Sequence, residues 1–251
     1  TAMLASAHYG WAYIHPGYPA VDAWLPATSA MLLLCLGLKT NLRFCLTLAG
    51  LAAGLCCYYI EQRLLIPVIA LTVLTVVPPR RWFRVSIPLV LGCLAFFAPM
   101  LLTSRAEVFT KMLVETSSAS TTEGITNRFL LPLQNTGRSL LAFNYNPVSG
   151  HFVSGSLVEP ITAGLLVLGL AATLRQLRTD RSKLLLFWFA IDLTALGILS
   201  KYDHVSESRL HSMLPVIVLL AAAGFGQLTA VLATAVPPKW LKPGGAALVS
   251  V

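Results

Sequence analysis

A short polar stretch separates two apolar runs, and it reads Tyr58-Tyr59-Ile60-Glu61-Gln62-Arg63-Leu64-Leu65-Ile66-Pro67. The flanking runs cover residues 44–60 and 64–78 and are close to membrane length. A charged turn between two such segments is expected at the boundary between lipid and water. Packing alone does not require a tyrosine pair, a carboxylate and a guanidinium at one turn. Two interpretations stay open, namely a local ion pair that anchors the turn and a site that binds a ligand.

The composition indicates an integral membrane protein. Of 251 residues, 56% are apolar and 11% are charged, whereas about a quarter of a soluble domain is charged. Seven apolar segments approach or exceed the length that crosses about 30 Å of hydrocarbon. Because lipid cannot hydrogen-bond to the backbone, continuous apolar runs of this length must satisfy their own N–H and C=O groups as helices, and we predict an all-α fold, a polytopic membrane bundle of about seven transmembrane helices. The segments are 21–38, 44–60, 64–78, 85–103, 157–174, 184–200 and 209–235.

The charges alternate between successive loops. One set of loops is strongly basic, and the single acid among them is Asp180. Its basic residues are Lys39, Arg43, Arg80, Arg81, Arg84, Arg175, Arg178, Arg181, Lys183, Lys239 and Lys242. The positive-inside rule places this set in the cytoplasm. The net charge of +8 is therefore interpreted as a topology signal, and no nucleic-acid partner is predicted.

The predicted organisation has three parts. Residues 1–103 form an N-terminal interfacial stretch and four membrane helices, 104–156 form an external loop subdomain, and 157–251 form three membrane helices and a cytoplasmic tail. Two amphipathic runs in the loop, 105–115 and 125–143, predict short helices on the membrane surface. The second run is predicted to break at Pro132 and again at 135–137. Because the chain starts at Thr1, we expect the true N-terminus to be missing.

Three stretches resemble the membrane region of GT-C glycosyltransferases, in particular the family 39 group with protein O-mannosyltransferases and lipid A aminoarabinose transferases. In each stretch small-residue or Leu-Pro helices stand next to aromatic or arginine residues. The stretches are Ala49 to Leu55 with Tyr58-Tyr59 and Arg63 to Pro67, then Pro160 to Leu170 with Leu184 to Trp188, and finally Ser208 to Ile217 with Ala221 to Gly224. The resemblance covers about residues 4–235 and implies the cytoplasmic (inner) membrane of a bacterium.

The resemblance implies transfer of a sugar from a polyprenyl-phosphate donor to an acceptor on the external face. In such enzymes a carboxylate is the general base, basic residues hold the lipid phosphate, and a divalent metal assists in some members. The family's acidic catalytic motif lies in the first external loop, and no position here matches it. No catalytic residue is therefore assigned. The alternative is a non-catalytic GT-C-like subunit that packs with other membrane chains; a transporter is the weakest reading, since it needs several intramembrane charges.

The candidate binding residues for the lipid phosphate are Tyr58, Tyr59, Arg63, Arg209 and His211. Arginine offers a forked, charge-assisted contact to phosphate oxygens. Arg209 stands at a predicted helix start, where a cation opposes the helix dipole and so needs another reason to be present. Pairing of Arg63 with Glu61, and contact of both arginines with membrane lipid headgroups, are the alternatives that remain open.

Asp192 is predicted near the centre of an apolar helix, where a charge costs about 2.5–3.5 kcal/mol. We expect it to be protonated and hydrogen-bonded, or to face a cavity, a missing segment of the chain or a partner. No metal site is predicted, since the histidines lack partners at fixed spacing. The five cysteines are predicted to be small buried hydrophobic residues. Gly50 and Gly54 form a small-xxx-small surface suited to helix contact, within the chain or across chains.

Overall fold

The computed structural model describes residues 24–57, 61–103, 125–143, 148–149, 154–155, 158–198 and 210–235. In these ranges the regular structure is helical apart from one antiparallel pair of two-residue strands, β1 (Val148–Ser149) and β2 (Ser154–Gly155). The predicted all-α class is confirmed. The α-helices are α1 (Trp24–Thr40), α2 (Arg43–Cys56), α3 (Leu65–Val76), α4 (Trp82–Thr103), α5 (Ile125–Leu141), α6 (Pro160–Arg175), α7 (Asp180–Asp192) and α8 (Leu214–Ala235).

Short segments of other helical geometry join these elements. The turns Glu61–Leu64, Pro79–Arg81 and His211–Met213 are 3₁₀ helices, and Leu193–Ile198 is a π-helical segment that continues α7. Each of the seven predicted apolar segments overlaps one of the α-helices other than α5. Among the described residues, one helix, Leu214–Thr234, is long and apolar enough to cross a membrane. Seven membrane spans therefore remain a prediction.

Local chemistry explains three of the helix boundaries. Asn41, between α1 and α2, adopts a left-handed backbone with φ 55°, a conformation that Asn tolerates better than most residues. The pair Pro78 and Pro79 ends α3, because a proline cannot donate to the preceding turn. At the start of α7 the Thr179 hydroxyl accepts a hydrogen bond from the Ser182 amide at 3.4 Å, an ordinary N-cap.

Helix α5 corrects one prediction. It is continuous from Ile125 to Leu141, so the expected breaks at Pro132 and at residues 135–137 are wrong. The packing of α5 against the π-helical segment buries Asn135 and Ser139. Tertiary packing of this kind outweighs local helix propensity. The other predicted amphipathic run, 105–115, lies outside the described residues.

Two helix pairs pack through glycine. In the α2–α4 pair, Gly50 and Gly54 lie against the backbone of Leu89 and Cys93, and Gly92 lies against Thr47. In the α6–α8 pair, Gly169 and Gly224 face each other. The predicted contact surface at Gly50 and Gly54 is thus confirmed within the chain. Small residues let two helix backbones approach closely enough for dispersion contacts along their length.

The remaining contacts join these pairs. Helix α1 packs on α2, α3 packs mainly on α7, and α7 also contacts α6 and α8. The core is densest at the start of α8, where residues 212–217 are all buried. Buried threonines in the helices bond to their own backbone: the Thr72 hydroxyl donates to the Val68 carbonyl at 2.8 Å, and Thr173 donates to Gly169 at 2.6 Å. These bonds satisfy hydroxyl groups in an apolar interior.

Two of the loops predicted to be cytoplasmic lie at one end of the molecule. The Arg81 guanidinium, after α3, donates to the Asn41 side-chain oxygen, between α1 and α2, at 3.5 Å. The basic loops that follow α1 and α3 are therefore neighbours in the fold.

Candidate functional site

Arg63 is held at the opposite end of α2 from the basic loops. It lies in the 3₁₀ turn Glu61–Leu64 and is half-buried. Its Nε–H donates to the main-chain carbonyl of Cys57 at 2.7 Å. Cys57 caps the C-terminus of α2, and its amide donates to the Gly54 carbonyl at 3.1 Å. The helix C-terminus carries a partial negative charge, so a cation is favourable there, and the bond through Nε fixes where the guanidinium fork points.

An apolar groove of about 430 Å³ runs between α3 and the α2–α4 pair. Its floor includes Gly50 and Ala53 of α2, and one wall is formed by Ile69 and Val73 of α3. Phe83 of α4 also lines the groove and is 80% exposed, so the groove is open along this side. Among the described residues, these side chains form a channel with almost no polar lining.

The groove exists because α3 packs mainly on α7 and only lightly on α2 and α4. Glycine and alanine on the facing side of α2 leave the gap unfilled. Ile66 of α3 lines the groove and follows Arg63 by three residues. Arg63 is not itself a lining residue, but its turn leads directly into the α3 wall of the groove.

Most of the predicted binding residues cannot be placed beside Arg63. Tyr58, Tyr59 and Arg209 lie outside the described residues. His211 opens the 3₁₀ turn before α8, and its side chain lies outside them as well. Their convergence on one site stays a prediction. Sequence reasoning missed the Cys57 carbonyl and the groove, because a main-chain acceptor and a gap between helices leave no residue pattern.

Asp192 is the last residue of α7 before the π-helical segment. Its side chain is 3% exposed and is hydrogen-bonded by Trp188, one turn earlier. Trp188 is itself almost fully buried. Segments of π-helix inside α-helices occur frequently at functional sites. The structure therefore places this carboxyl group inside the bundle, in contact with a tryptophan, and not at the groove.

Helix α5 packs against the π-helical segment Leu193–Ile198, which directly follows Asp192 in the chain. The Ser139 side chain lies against Gly197, and the Leu210 side chain approaches the same glycine. The rings of Phe143 and Phe189 pack with centroids 6.0 Å apart and a tilt of 43°. The sequence signal for this contact was the four-residue spacing of Asn135, Ser139 and Phe143, which puts all three on one helix face.

Among the described residues, no group of three or more His, Cys, Asp or Glu side chains lies close enough together to hold a metal ion. No protein-family model, curated protein or solved structure matches the chain. The resemblance to GT-C glycosyltransferases thus has no support from these comparisons and remains a prediction.

Proposed function

We propose that the chain is a polytopic membrane protein. Large apolar side chains are exposed on every α-helix except α7 in the described part of the chain. Leu25 of α1 is 75% exposed, Phe83 of α4 80%, and Ile161 of α6 79%. Soluble monomers rarely expose apolar patches of this extent, whereas such side chains are ordinary against lipid. The 3₁₀ and π-helical segments extend α3, α7 and α8 beyond their α-helical lengths, which brings these elements nearer to membrane thickness.

As a membrane protein, the chain binds a polyprenyl phosphate. It takes part in a glycosyltransferase reaction whose sugar donor is linked to polyprenyl phosphate. The observation that carries this proposal is the anchoring of Arg63 to the Cys57 carbonyl, in the turn that leads into the α3 wall of the apolar groove. A polyprenyl phosphate consists of an apolar chain, which matches the apolar groove, and an anionic head group, which matches the cationic Arg63. The groove suits the chain, and the guanidinium suits the phosphate through charge-assisted hydrogen bonds.

The dimensions of the groove support the same assignment. From Ile66 to Leu74 the α3 wall extends over about 12 Å at 1.5 Å per residue. That length accommodates the first few isoprene units behind the phosphate, and the open side lets the rest of the chain continue into lipid. An isoprenoid chain that enters the groove leaves lipid and not water, so it gains little from the hydrophobic effect, and the head group contact is expected to set specificity.

Arg63 acts in this proposal by binding and not by proton transfer. A guanidinium stays protonated in proteins, so it cannot serve as a general base. The carboxylate base that the reaction class requires is not assigned to any residue of this chain. Tyr58, Tyr59, Arg209 and His211 are proposed to complete the phosphate site.

The test is binding of a short polyprenyl phosphate to purified protein in detergent, with the matching polyprenol as the neutral control. Arg63→Ala should weaken binding of the phosphate at least about tenfold, since a charge-assisted hydrogen bond contributes about 1.5–3 kcal/mol. Binding of the polyprenol should not change. Arg84→Ala, at an exposed position near the other end of the molecule, should leave both affinities unchanged.

A second variant tests the groove separately. Val73→Trp fills it and should weaken binding of both the phosphate and the polyprenol. The proposal is overturned if the parent protein does not prefer the phosphate over the alcohol, or if Arg63→Ala and Arg84→Ala behave alike. Absence of phosphate binding together with a stoichiometric partner chain after mild purification would favour the non-catalytic subunit.

A further inference from the structure

Two cysteine thiols lie near each other at the interface of α2 and α4. Cys57 lies at the C-terminus of α2 and Cys93 in the middle of α4, and their thiols are close enough to influence each other electrostatically. The Cys57 sulfur also lies 3.5 Å from the Ala53 carbonyl oxygen. Its side chain therefore points back along α2 toward the interface with α4.

The helix backbones support a covalent link at this point. Gly54, one turn before Cys57, has no side chain, and a Cβ atom placed there would lie 3.1 Å from the Cys93 Cα atom. A disulfide requires Cα atoms about 4.4–6.8 Å apart and Cβ atoms about 3.5–4.5 Å apart. Two helices in backbone contact one turn away bring Cys57 near Cys93, as a disulfide between them requires.

The two thiols differ in accessibility. Cys57 has no exposed surface, whereas Cys93 is partly exposed and lines the apolar groove between α3 and the α2–α4 pair. A small apolar reagent that enters the groove reaches Cys93 first. Cys56, the sequence neighbour of Cys57, is also fully buried and has no such contact with the groove.

We propose that Cys57 and Cys93 form a reversible dithiol–disulfide pair that is oxidised by exchange with a small apolar disulfide. The Cys93 thiol gives up its proton to the medium and attacks one sulfur of the acceptor, which releases one thiolate. Cys57 then gives up its proton and attacks the Cys93 sulfur of the mixed disulfide, and the second thiolate leaves. The two protein thiols are oxidised, and the acceptor disulfide is reduced to two thiols.

The link would tie α2 to α4 next to the Arg63 anchor, because the carbonyl that holds Arg63 belongs to Cys57. The inference does not depend on the proposed function, since it concerns only the two helices. No residue pattern predicts the pair, because Cys57 and Cys93 lie in different apolar segments with no spacing rule between them.

The test treats the folded protein with 4,4′-dithiodipyridine, then denatures it without reductant and digests it with trypsin. Arg63, Arg80, Arg81 and Arg84 lie between the two cysteines, so the fragments stay joined only if a disulfide links them. We expect the linked fragments in the parent protein and in Cys56→Ala, and their loss in Cys57→Ala, in Cys93→Ala and after reduction.

A variant that keeps only the pair gives an independent readout. With Cys35, Cys45 and Cys56 replaced by alanine, the intact mass after oxidation should fall by two hydrogen atoms with no pyridyl adduct. Stable pyridyl adducts on both cysteines would overturn the proposal. If this variant does not fold, the single variants decide: a link that survives in Cys57→Ala, or that never forms in the parent, overturns it equally.

Discussion

The backbones of Gly169 and Gly224 touch where α6 crosses α8. A Cβ atom on Gly224 would lie 2.7 Å from the Gly169 amide nitrogen, and one on Gly169 would lie 3.1 Å from the Gly224 nitrogen and closer still to the Leu220 carbonyl. No side chain can move aside to make room there, because every atom in the way belongs to a backbone. The two glycines therefore set the distance between the two helices.

The first prediction follows from that contact. Gly169→Ala and Gly224→Ala should each lower the free energy of unfolding by about 1–3 kcal/mol, because the helices must separate to admit the methyl group. The measurement is unfolding of the detergent-solubilised protein by a denaturing detergent, followed by circular dichroism.

The chain offers matched controls on the same helices. At Gly164 of α6 and Gly226 of α8, an added methyl group would meet no atom of the described residues within 4 Å. Gly164→Ala and Gly226→Ala should be neutral or stabilising, since alanine is the better helix former by about 1 kcal/mol. Equal losses of stability at all four positions would contradict the role assigned to Gly169 and Gly224.

The sequence predicted helix positions well and helix pairing poorly. Apolar runs bounded by Pro78-Pro79, and by Pro160 at the start of α6, mark the elements directly. The surface at Gly50 and Gly54 was predicted as a contact, but the residues it meets, Leu89 and Cys93, were not, because hydrophobic helices carry little information about which neighbour they meet.

For the candidate site too, the sequence predicted the residue but not the contacts around it. Arg63 was predicted as a binding residue from its residue type and its place at a turn. Its anchor is the main-chain carbonyl of Cys57, which every residue possesses and no sequence pattern marks. The groove exists only because α3 packs mainly on α7 and only lightly on α2 and α4. Which neighbour α3 packs against is decided by the packing of the whole bundle.

The second prediction concerns the contact of α5 with the π-helical segment. A Cβ atom on Gly197 would lie 2.9 Å from the Ser139 Cβ and closer to its hydroxyl, so Gly197→Ala should destabilise the protein or detach α5. Within the described ranges, the buried Ser139 hydroxyl has no hydrogen-bond partner. Ser139→Ala alone should therefore be close to neutral.

The pair gives a rescue experiment. Ser139→Gly removes both atoms that the new methyl group would meet, so Ser139→Gly with Gly197→Ala should recover part of the stability lost in Gly197→Ala. Strictly additive effects of the two substitutions would show that these residues do not touch.

The third prediction tests the membrane topology. In a cysteine-free background, Arg80→Cys and Arg178→Cys should react with a membrane-impermeant maleimide only after the cells are permeabilised, because the positive-inside rule places these loops in the cytoplasm. Arg138→Cys, at an exposed position of α5, should react in intact cells. Labelling of Arg80→Cys and Arg138→Cys from the same side would refute the proposed arrangement.

The fourth prediction separates two roles of Asp192, as a hydrogen-bond acceptor and as a charge. Asp192→Asn keeps an oxygen that accepts from the Trp188 indole and should change the free energy of unfolding by less than about 1 kcal/mol. Asp192→Ala leaves the buried indole N–H unpaired and should cost about 1–3 kcal/mol. In a double-mutant cycle, Trp188→Phe should reduce the cost of Asp192→Ala, because the donor that loses its partner is then absent. If Asp192→Asn were as destabilising as Asp192→Ala, the carboxylate would act through its charge, and a cationic group facing it from α3, α6 or α8 would have to be sought.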